Sequence, residues 1–248
     1  YIYNPMNNLK AVKGRKTANE RTVMKLTGRT ILITGGSAGI GLAFALKFAE
    51  LGNEVIVTGR RQKVLDEVKA NHPNLQAIPS DVADPAQIAA LARNIKDNYP
   101  KLDVLMNNAG IMLHKNLKVP APDLDGLIAE VNINVAGVMR MSSAFIDILT
   151  ANKGTIINVS SGLAFVPLPS APIYSATKAA IHSYTQSLRF QLEETGVEVI
   201  ELMPPAGFVL SLVIGAIART RPSTSACVVA TLPPRAASEW RTVLCDIP

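Results

Sequence analysis

Six short strand-like runs, Ile31–Ile33, Val55–Val57, Asn74–Ile78, Val104–Met106, Thr155–Val159 and Val197–Leu202, recur along this chain with helix-period segments between them. That alternation leaves few options, because strands joined by helical crossovers align in parallel and need helices on both faces of the sheet. The expected fold class is α/β, a doubly wound parallel sheet. Ligands of such sheets bind beyond the carboxyl ends of the strands. Thr34, Gly59, Asp81, Asn107, Ser160 and Met203 each fall just after an apolar run, so they gather along one edge. The 248 residues, 48% of them hydrophobic, suffice for one two-faced core, and no second domain or solenoid repeat is required.

The first run opens a phosphate-binding pattern. Ile31-Leu32-Ile33 is followed by Thr34-Gly35-Gly36-Ser37-Ala38-Gly39-Ile40-Gly41 and then by a helix-period stretch with Leu42, Ala45, Leu46 and Ala49 on its apolar side. Glycines let the backbone take positive φ and let a pyrophosphate approach closely. The helix start adds free amide hydrogens and a partial positive charge. The spacing differs from the common G-x-G-x-x-G, and a glycine-rich turn without function is the competing reading.

A second pattern concerns proton transfer. Tyr174 and Lys178 lie four residues apart in Tyr174-Ser175-Ala176-Thr177-Lys178, so a helix would put them on one face with the ammonium near the phenol. A neighbouring cation favours the phenolate and would bring the group toward useful acid/base chemistry. Ser161, thirteen residues before Tyr174, follows Thr155–Val159 and would sit at a strand end beside that helix. Taken alone, a Tyr and a Lys at this spacing also fit an ordinary solvated pair.

Together the motifs resemble those of the short-chain dehydrogenase/reductase family over about residues 24–206. Thr34–Gly41 matches its T-G-x-x-x-G-x-G turn, Asn107-Asn108-Ala109-Gly110 its N-N-A-G segment, and Ser161, Tyr174 and Lys178 its Ser and Y-x-x-x-K set. Asn134, in Asn134-Val135-Ala136-Gly137, matches the Asn that completes the family's catalytic tetrad. Within the family, Glu201-Leu202-Met203-Pro204-Pro205-Ala206 resembles a subgroup of bacterial and fungal oxidoreductases, one of them named for a D-alanylation operon. The resemblance implies a Rossmann-like single domain and catalytic roles for Asn134, Ser161, Tyr174 and Lys178. It also implies cofactor contacts at Gly35, Ser37, Gly39, Ile40 and Gly41, at Asn108, Ala109 and Gly110, at Tyr174 and Lys178, and at Pro204. Ser161 would hydrogen-bond the substrate oxygen, Tyr174 would exchange its proton, Lys178 would also bind the nicotinamide ribose, and Asn134 would hold a water linking Lys178 to solvent.

The end of the second strand bears on cofactor choice. NAD sites commonly carry a carboxylate there, which would repel a 2′-phosphate. In Val57-Thr58-Gly59-Arg60-Arg61 the acidic position is Gly59, followed by Arg60, whose guanidinium can pair with a phosphate dianion. NADP(H) is therefore expected in preference to NAD(H), against the alternative that Arg60 and Arg61 are solvated loop charges. Asp81-Val82 resembles the family's adenine contact; a helix N-cap or turn carboxylate is the other reading of Asp81.

The net charge is +6, with +4 in residues 1–23 and +2 in residues 207–248, so the middle is neutral and no basic, aromatic-interleaved stripe points to nucleic acid. Residues 1–23 read as a basic, disordered extension, with a mitochondrial presequence as the minor alternative to a cytoplasmic protein. After Ala206 the family pattern stops: an apolar run from Phe208 to Ala218 gives way to a Pro, Ser, Thr and Arg mixture containing both cysteines, Cys227 and Cys245. The run is too short to span a bilayer. Residues 207–248 are thus expected to be an atypical tail, either a replacement for family structure or the product of a shifted frame or retained intron. Without a seventh strand the sixth becomes the sheet edge. His72, His114 and His182 show no metal-ligand spacing, so no metal is expected, although His114 could face a substrate.

These readings converge on an NADP(H)-dependent oxidoreductase acting on a small carbonyl or secondary alcohol, with a homodimer through the Tyr-bearing helix as the family habit. The alternative is a nucleotide-binding protein, catalytically impaired or non-enzymatic because its C-terminal substrate region is replaced.

Overall fold

The computed structural model describes residues 27–120 and 123–204, together with the backbone of a strand at residues 227–229. The expected extension at 1–23 and the remainder of the expected tail lie outside the described residues. Six parallel strands, β1 (Thr30–Thr34), β2 (Glu54–Gly59), β3 (Leu75–Pro79), β4 (Leu102–Asn107), β5 (Thr155–Val159) and β6 (Glu198–Met203), form the main sheet. They line up in the order β3-β2-β1-β4-β5-β6, the doubly wound arrangement that the alternation requires. One expectation is corrected: β6 is not the edge. A short β7 (Cys227–Val229) pairs in parallel with Glu201, Leu202 and Met203. Cys227-Val228-Val229 is a short apolar run set among Pro, Ser, Thr and Arg with no helix-period segment leading into it, which is why the sequence pattern did not reveal it.

Burial explains which runs became strands. Every residue of β1 and β5 is buried, as expected of central parallel strands covered on both faces. On one face, Phe44 and Phe48 of α1 (Gly39–Glu50) stack at 6.1 Å and pack with Ile31, Ile33, Val55 and Val57. The other face is covered by Ile88, Leu91 and Ile95 of α3 (Pro85–Asn98), which follows α2 (Gln62–Asn71), and by Met141, Phe145 and Leu149 farther along. The spacings of these residues, three and four apart, are those of one helix stripe. The start of α3 is set locally, because Asp84 accepts hydrogen bonds from the Ala86 and Gln87 amides and Pro85 supplies the first-turn φ. Those bonds, led by the one from the Gln87 side chain, hold the Asp84 carboxyl below its usual range.

Between β4 and β5 the chain forms short turns α4 (Leu124–Leu127) and α5 (Ala129–Val131), a π-helical turn Asn132–Ala136, and α6 (Gly137–Ala151). Ala129–Ala151 is long and apolar enough to cross a membrane, but Met141, Phe145 and Leu149 bury its apolar stripe against the sheet. The last long helix, α7 (Pro172–Leu192), lies against β5 and β6 and carries the Tyr and Lys of the second motif.

Candidate active site

The glycine turn closes over the end of β1 against the segment after β4. Thr34 Oγ1 accepts hydrogen bonds from the Asn108 and Ala109 amides at 3.1 and 3.0 Å, and Asn108 Nδ2 donates to the Thr34 and Gly35 carbonyls. Thr34, expected at the binding edge and as part of the turn motif, therefore also locks the two halves of the site together. Gly35 has φ +64°, and a Cβ there would stand 2.8 Å from the Ala109 backbone. Gly39 has φ +55° with nothing within 4 Å of where a Cβ would go, so its outer face is open. Ala38 caps α1 without a side-chain hydrogen bond, which leaves the first amides of the helix for a ligand. An open glycine face beside unpaired helix-start amides fits the pyrophosphate of a dinucleotide.

Farther along the same edge, other expected cofactor residues extend from the turn toward the ends of β2 and β3. Ser37 Oγ lies against Gly59 at the end of β2, and Arg60 is exposed just beyond, without a hydrogen bond or ion pair among the described residues. Asp81 is half-buried after β3; its Oδ1 accepts from the Ala83 amide, and its own amide donates to Gln87 Oε1. It makes a turn rather than a helix cap, since Asp84 is the cap. Val82 is buried against Gly137 at the start of α6, and Pro204 is buried after β6. His114 is exposed in the loop after the N-N-A-G segment.

Ser161, Tyr174, Lys178, Asn134 and Gly110 converge at the ends of β4 and β5. Helix α7 puts Tyr174 and Lys178 on one face, with Lys178 Nζ 5.4 Å from the Tyr ring centroid. The ammonium does not reach the phenol oxygen through the chain's own packing; it donates to the Val159 carbonyl at 2.8 Å. Burial drops the Lys178 pKa to about 8. The Tyr174 pKa moves the other way from the sequence-based expectation. Burial pushes it up, a hydrogen bond with Ser161 opposes that rise, and the Glu130 carboxylate adds to it. Desolvation dominates because the fold withdraws the phenol from water.

Ser161 Oγ accepts from the Leu163 amide at 3.2 Å, capping the 3₁₀ turn Gly162–Ala164 and leaving its hydroxyl proton for another oxygen. Asn134 lies in the π-helical turn with both ends of its side-chain amide hydrogen-bonded. Its Oδ1 accepts from the Ile111 amide at 2.8 Å, and its Nδ2 donates to the Ile111 carbonyl and to Thr177 Oγ1. A Cβ on Gly110 would meet Asn134 Oδ1 at 3.2 Å and Lys178 Nζ at 3.8 Å, so this glycine keeps a gap between the two strand ends. Asn107 is structural: its Nδ2 donates to Asn158 Oδ1 and Ser142 Oγ inside the core. Glu130 was not anticipated. It is fully buried and accepts from the Leu113 amide at 3.0 Å, and only its place four residues before Asn134 on a helical stretch could have signalled it.

The sequence pattern of the short chain dehydrogenase family matches residues 29–210. The chain belongs to that family, and so to a group of oxidoreductases. It is 46% identical over 185 residues to the uncharacterized oxidoreductase DltE of Bacillus subtilis strain 168, covering 73% of each chain. An uncharacterized oxidoreductase of Staphylococcus saprophyticus is 32% identical over 188 residues, 73% of this chain and 80% of the relative. Among solved structures, a short-chain dehydrogenase from Streptomyces avermitilis superposes with a TM-score of 0.66 at 30% identity, covering 72% of this chain and 66% of that one, just under two thirds. A gluconate 5-dehydrogenase from Burkholderia cenocepacia, solved in complex with NADP and tartrate, gives 0.67 at 28% identity over 73% and 72% of the two chains. The resemblance to the subgroup named for a D-alanylation operon is thereby met by the similarity to DltE.

Proposed function

We propose that this chain is an NADP(H)-dependent oxidoreductase that interconverts a small carbonyl compound and the corresponding secondary alcohol. The convergence of Ser161, Tyr174 and Lys178 at the sheet edge that also carries the open glycine turn is the observation behind this reading. The nicotinamide, when bound, supplies or accepts the hydride. It would be held by the turn Gly35–Gly41, with Asn108, Ala109, Gly110 and Pro204 along its path and Lys178 at its ribose. Asp81 and Val82 would meet the adenine. Arg60, exposed and without an ion pair among the described residues, would take a 2′-phosphate at the end of β2, and the NADP in the gluconate 5-dehydrogenase supports that assignment by likeness.

The side chains divide the remaining work. In reduction, the Tyr174 phenol donates its proton to the oxygen of the carbonyl as that oxygen gains charge, and the raised pKa keeps the proton available at neutral pH. The Ser161 hydroxyl donates a hydrogen bond to the same oxygen. Lys178 keeps positive charge 5.4 Å from the ring, which favours the phenolate left behind. Asn134 has both side-chain N–H donors engaged, so a water beside Lys178 would have to donate to it. In oxidation the same proton path runs in reverse. A homodimer would use the exposed face of α7, where Ala176, Ala179 and Ser183 present small side chains and Phe190 an apolar one.

Tyr174→Phe tests the reading. The variant should bind NADPH nearly as well as the unmodified chain and reduce none of the aldehydes and ketones that the unmodified chain turns over. Ser161→Ala should lose about 10² to 10⁴ in rate. Unchanged turnover in Tyr174→Phe would remove the phenol from the mechanism.

A further inference from the structure

A second polar cluster lies one turn beyond Lys178, and the proton path does not use it. Ser160, which immediately precedes Ser161, donates its amide to the Leu202 carbonyl at 2.8 Å and its hydroxyl to Glu201 Oε1 at 2.5 Å. Glu201 is on β6 and only 1% exposed. Its second oxygen meets His182 Nδ1 at 2.9 Å, and His182 Nε2 lies 3.1 Å from Gln186 Nε2. The tautomer with its proton on Nδ1 donates to Glu201 and leaves Nε2 to accept from the Gln186 amide. The ring of Phe165, the residue that follows the turn Gly162–Ala164, stands edge-on to His182 at 4.6 Å.

A carboxylate at this depth costs several kcal/mol unless both oxygens find donors, which Ser160 and His182 supply. Strand pairing does not need it, since backbone bonds already join β5 to β6 in register from Thr155 and Glu198 onward. What the cluster does touch is the segment around Ser161. Ser160 is gripped before it, and Phe165 is braced after it. Lys178 holds the Val159 carbonyl one residue earlier still.

We infer that Glu201, braced by His182, is a positioning residue for Ser161: the carboxylate fixes Ser160 while the imidazole steadies Phe165, so the Ser161 hydroxyl is held where it meets Tyr174. This deepens the proposed reaction and rests on the roles given there to Ser161 and Tyr174. Tyr174, Lys178 and His182 follow at four-residue intervals on α7, so one helix face carries both the proton path and the brace for its partner serine.

The test uses the full chain carrying Ser160→Ala, Glu201→Gln or both, with Tyr174→Phe in parallel. NADPH-dependent reduction is measured over a panel of simple aldehydes, ketones and α-dicarbonyls. Each single variant should lose about 10- to 100-fold in kcat, the range expected when a reacting group is misplaced by about an ångström, while KM and Kd for NADPH stay within about twofold. Because both variants alter the same Ser160–Glu201 hydrogen bond, one by removing its donor and the other by replacing its carboxylate acceptor with an amide, the double variant should lose no more than the worse single one. Hydrogen exchange of the Ser160–Phe165 segment with saturating NADP⁺ should rise in Glu201→Gln, and that readout needs no turnover. Should Glu201→Gln not fold, Ser160→Ala carries the same comparisons. Wild-type kcat in the folded variants, additive losses with a raised NADPH KM, or exchange raised evenly through β5, β6 and α7 would each overturn the inference. If Tyr174→Phe is inactive while the cluster variants work normally, the positioning role alone fails. If Tyr174→Phe turns over normally, or no carbonyl is reduced at all, the reaction assignment fails and the exchange measurement decides the positioning role by itself.

Discussion

Lys178 is an ammonium held almost out of water, with a hydrogen bond to the Val159 carbonyl. Its pKa falls from an ordinary 10.5 to about 8, so between those values the unfolded chain binds a proton that the folded chain lacks. Stability therefore rises with pH through that window, and below it the charged side chain costs on the order of 3 kcal/mol. Lys178→Met should be more stable than the unmodified chain at pH 7, less whatever the lost bond to Val159 contributes, and that advantage should shrink toward pH 10. Urea midpoints of both proteins at the two pH values check this, and a difference that does not change with pH would mean Lys178 keeps its ordinary pKa in the folded chain. Arg60 makes the opposite kind of prediction, because it is exposed and holds nothing up in the fold. If it binds the 2′-phosphate, Arg60→Ala should lose about 1 to 3 kcal/mol of NADPH affinity and none for NADH, read by nucleotide titration. Equal losses for both cofactors would assign Arg60 to the adenine or to folding instead.

At the scale of elements, the glycine turn separates space from strain. Gly35→Ala would drive a methyl into the Ala109 backbone at a positive φ, so about 3 kcal/mol or more of stability should go with it. Gly39→Ala has open space and only the φ penalty, about 1 to 2 kcal/mol. Its methyl would nonetheless stand on the face proposed for the pyrophosphate, so NADPH binding should weaken on the order of tenfold or more, the worth of a lost charged hydrogen bond. Thermal melts paired with nucleotide titrations distinguish the two, and a Gly39→Ala protein that binds normally would move the phosphate site elsewhere. The main elements were legible because their signals are local. Short strand-like runs marked β1 to β6, and a four-residue spacing put Tyr174 and Lys178 on one helix face. What stayed hidden depends on distant partners. Ser160 meets Glu201 across 41 residues and Asn134 meets Thr177 across 43, so neither bond has a signature in its own segment. The direction of the Tyr174 shift was missed for the same reason, since it depends on how deeply the fold buries the ring. Glu201 was read only as part of a family-like run, and His182 only as a lone histidine.

For the whole molecule, the sheet's outer edge matters most. β7 is three residues long and covers the end of β6 nearest the active site, where Glu201, Leu202 and Met203 pair with it. Those three residues are buried, and Glu201 is the carboxylate that grips Ser160. Loss of β7 would leave their backbone groups unpaired on a flat apolar edge, the geometry that recruits other chains. It would also let water reach the far side of the Glu201 cluster, so the damage should extend to the site. A chain ending at Pro204 should therefore form aggregates where the full chain does not, and its remaining soluble fraction should show a lowered kcat with NADPH affinity less affected, because the glycine turn lies at β1, three strands away from β6. Light scattering and steady-state kinetics on the two chains at equal concentration decide it. A truncated protein that is monodisperse and equally active would mean that β7 shields nothing and that β6 can stand as the outer strand.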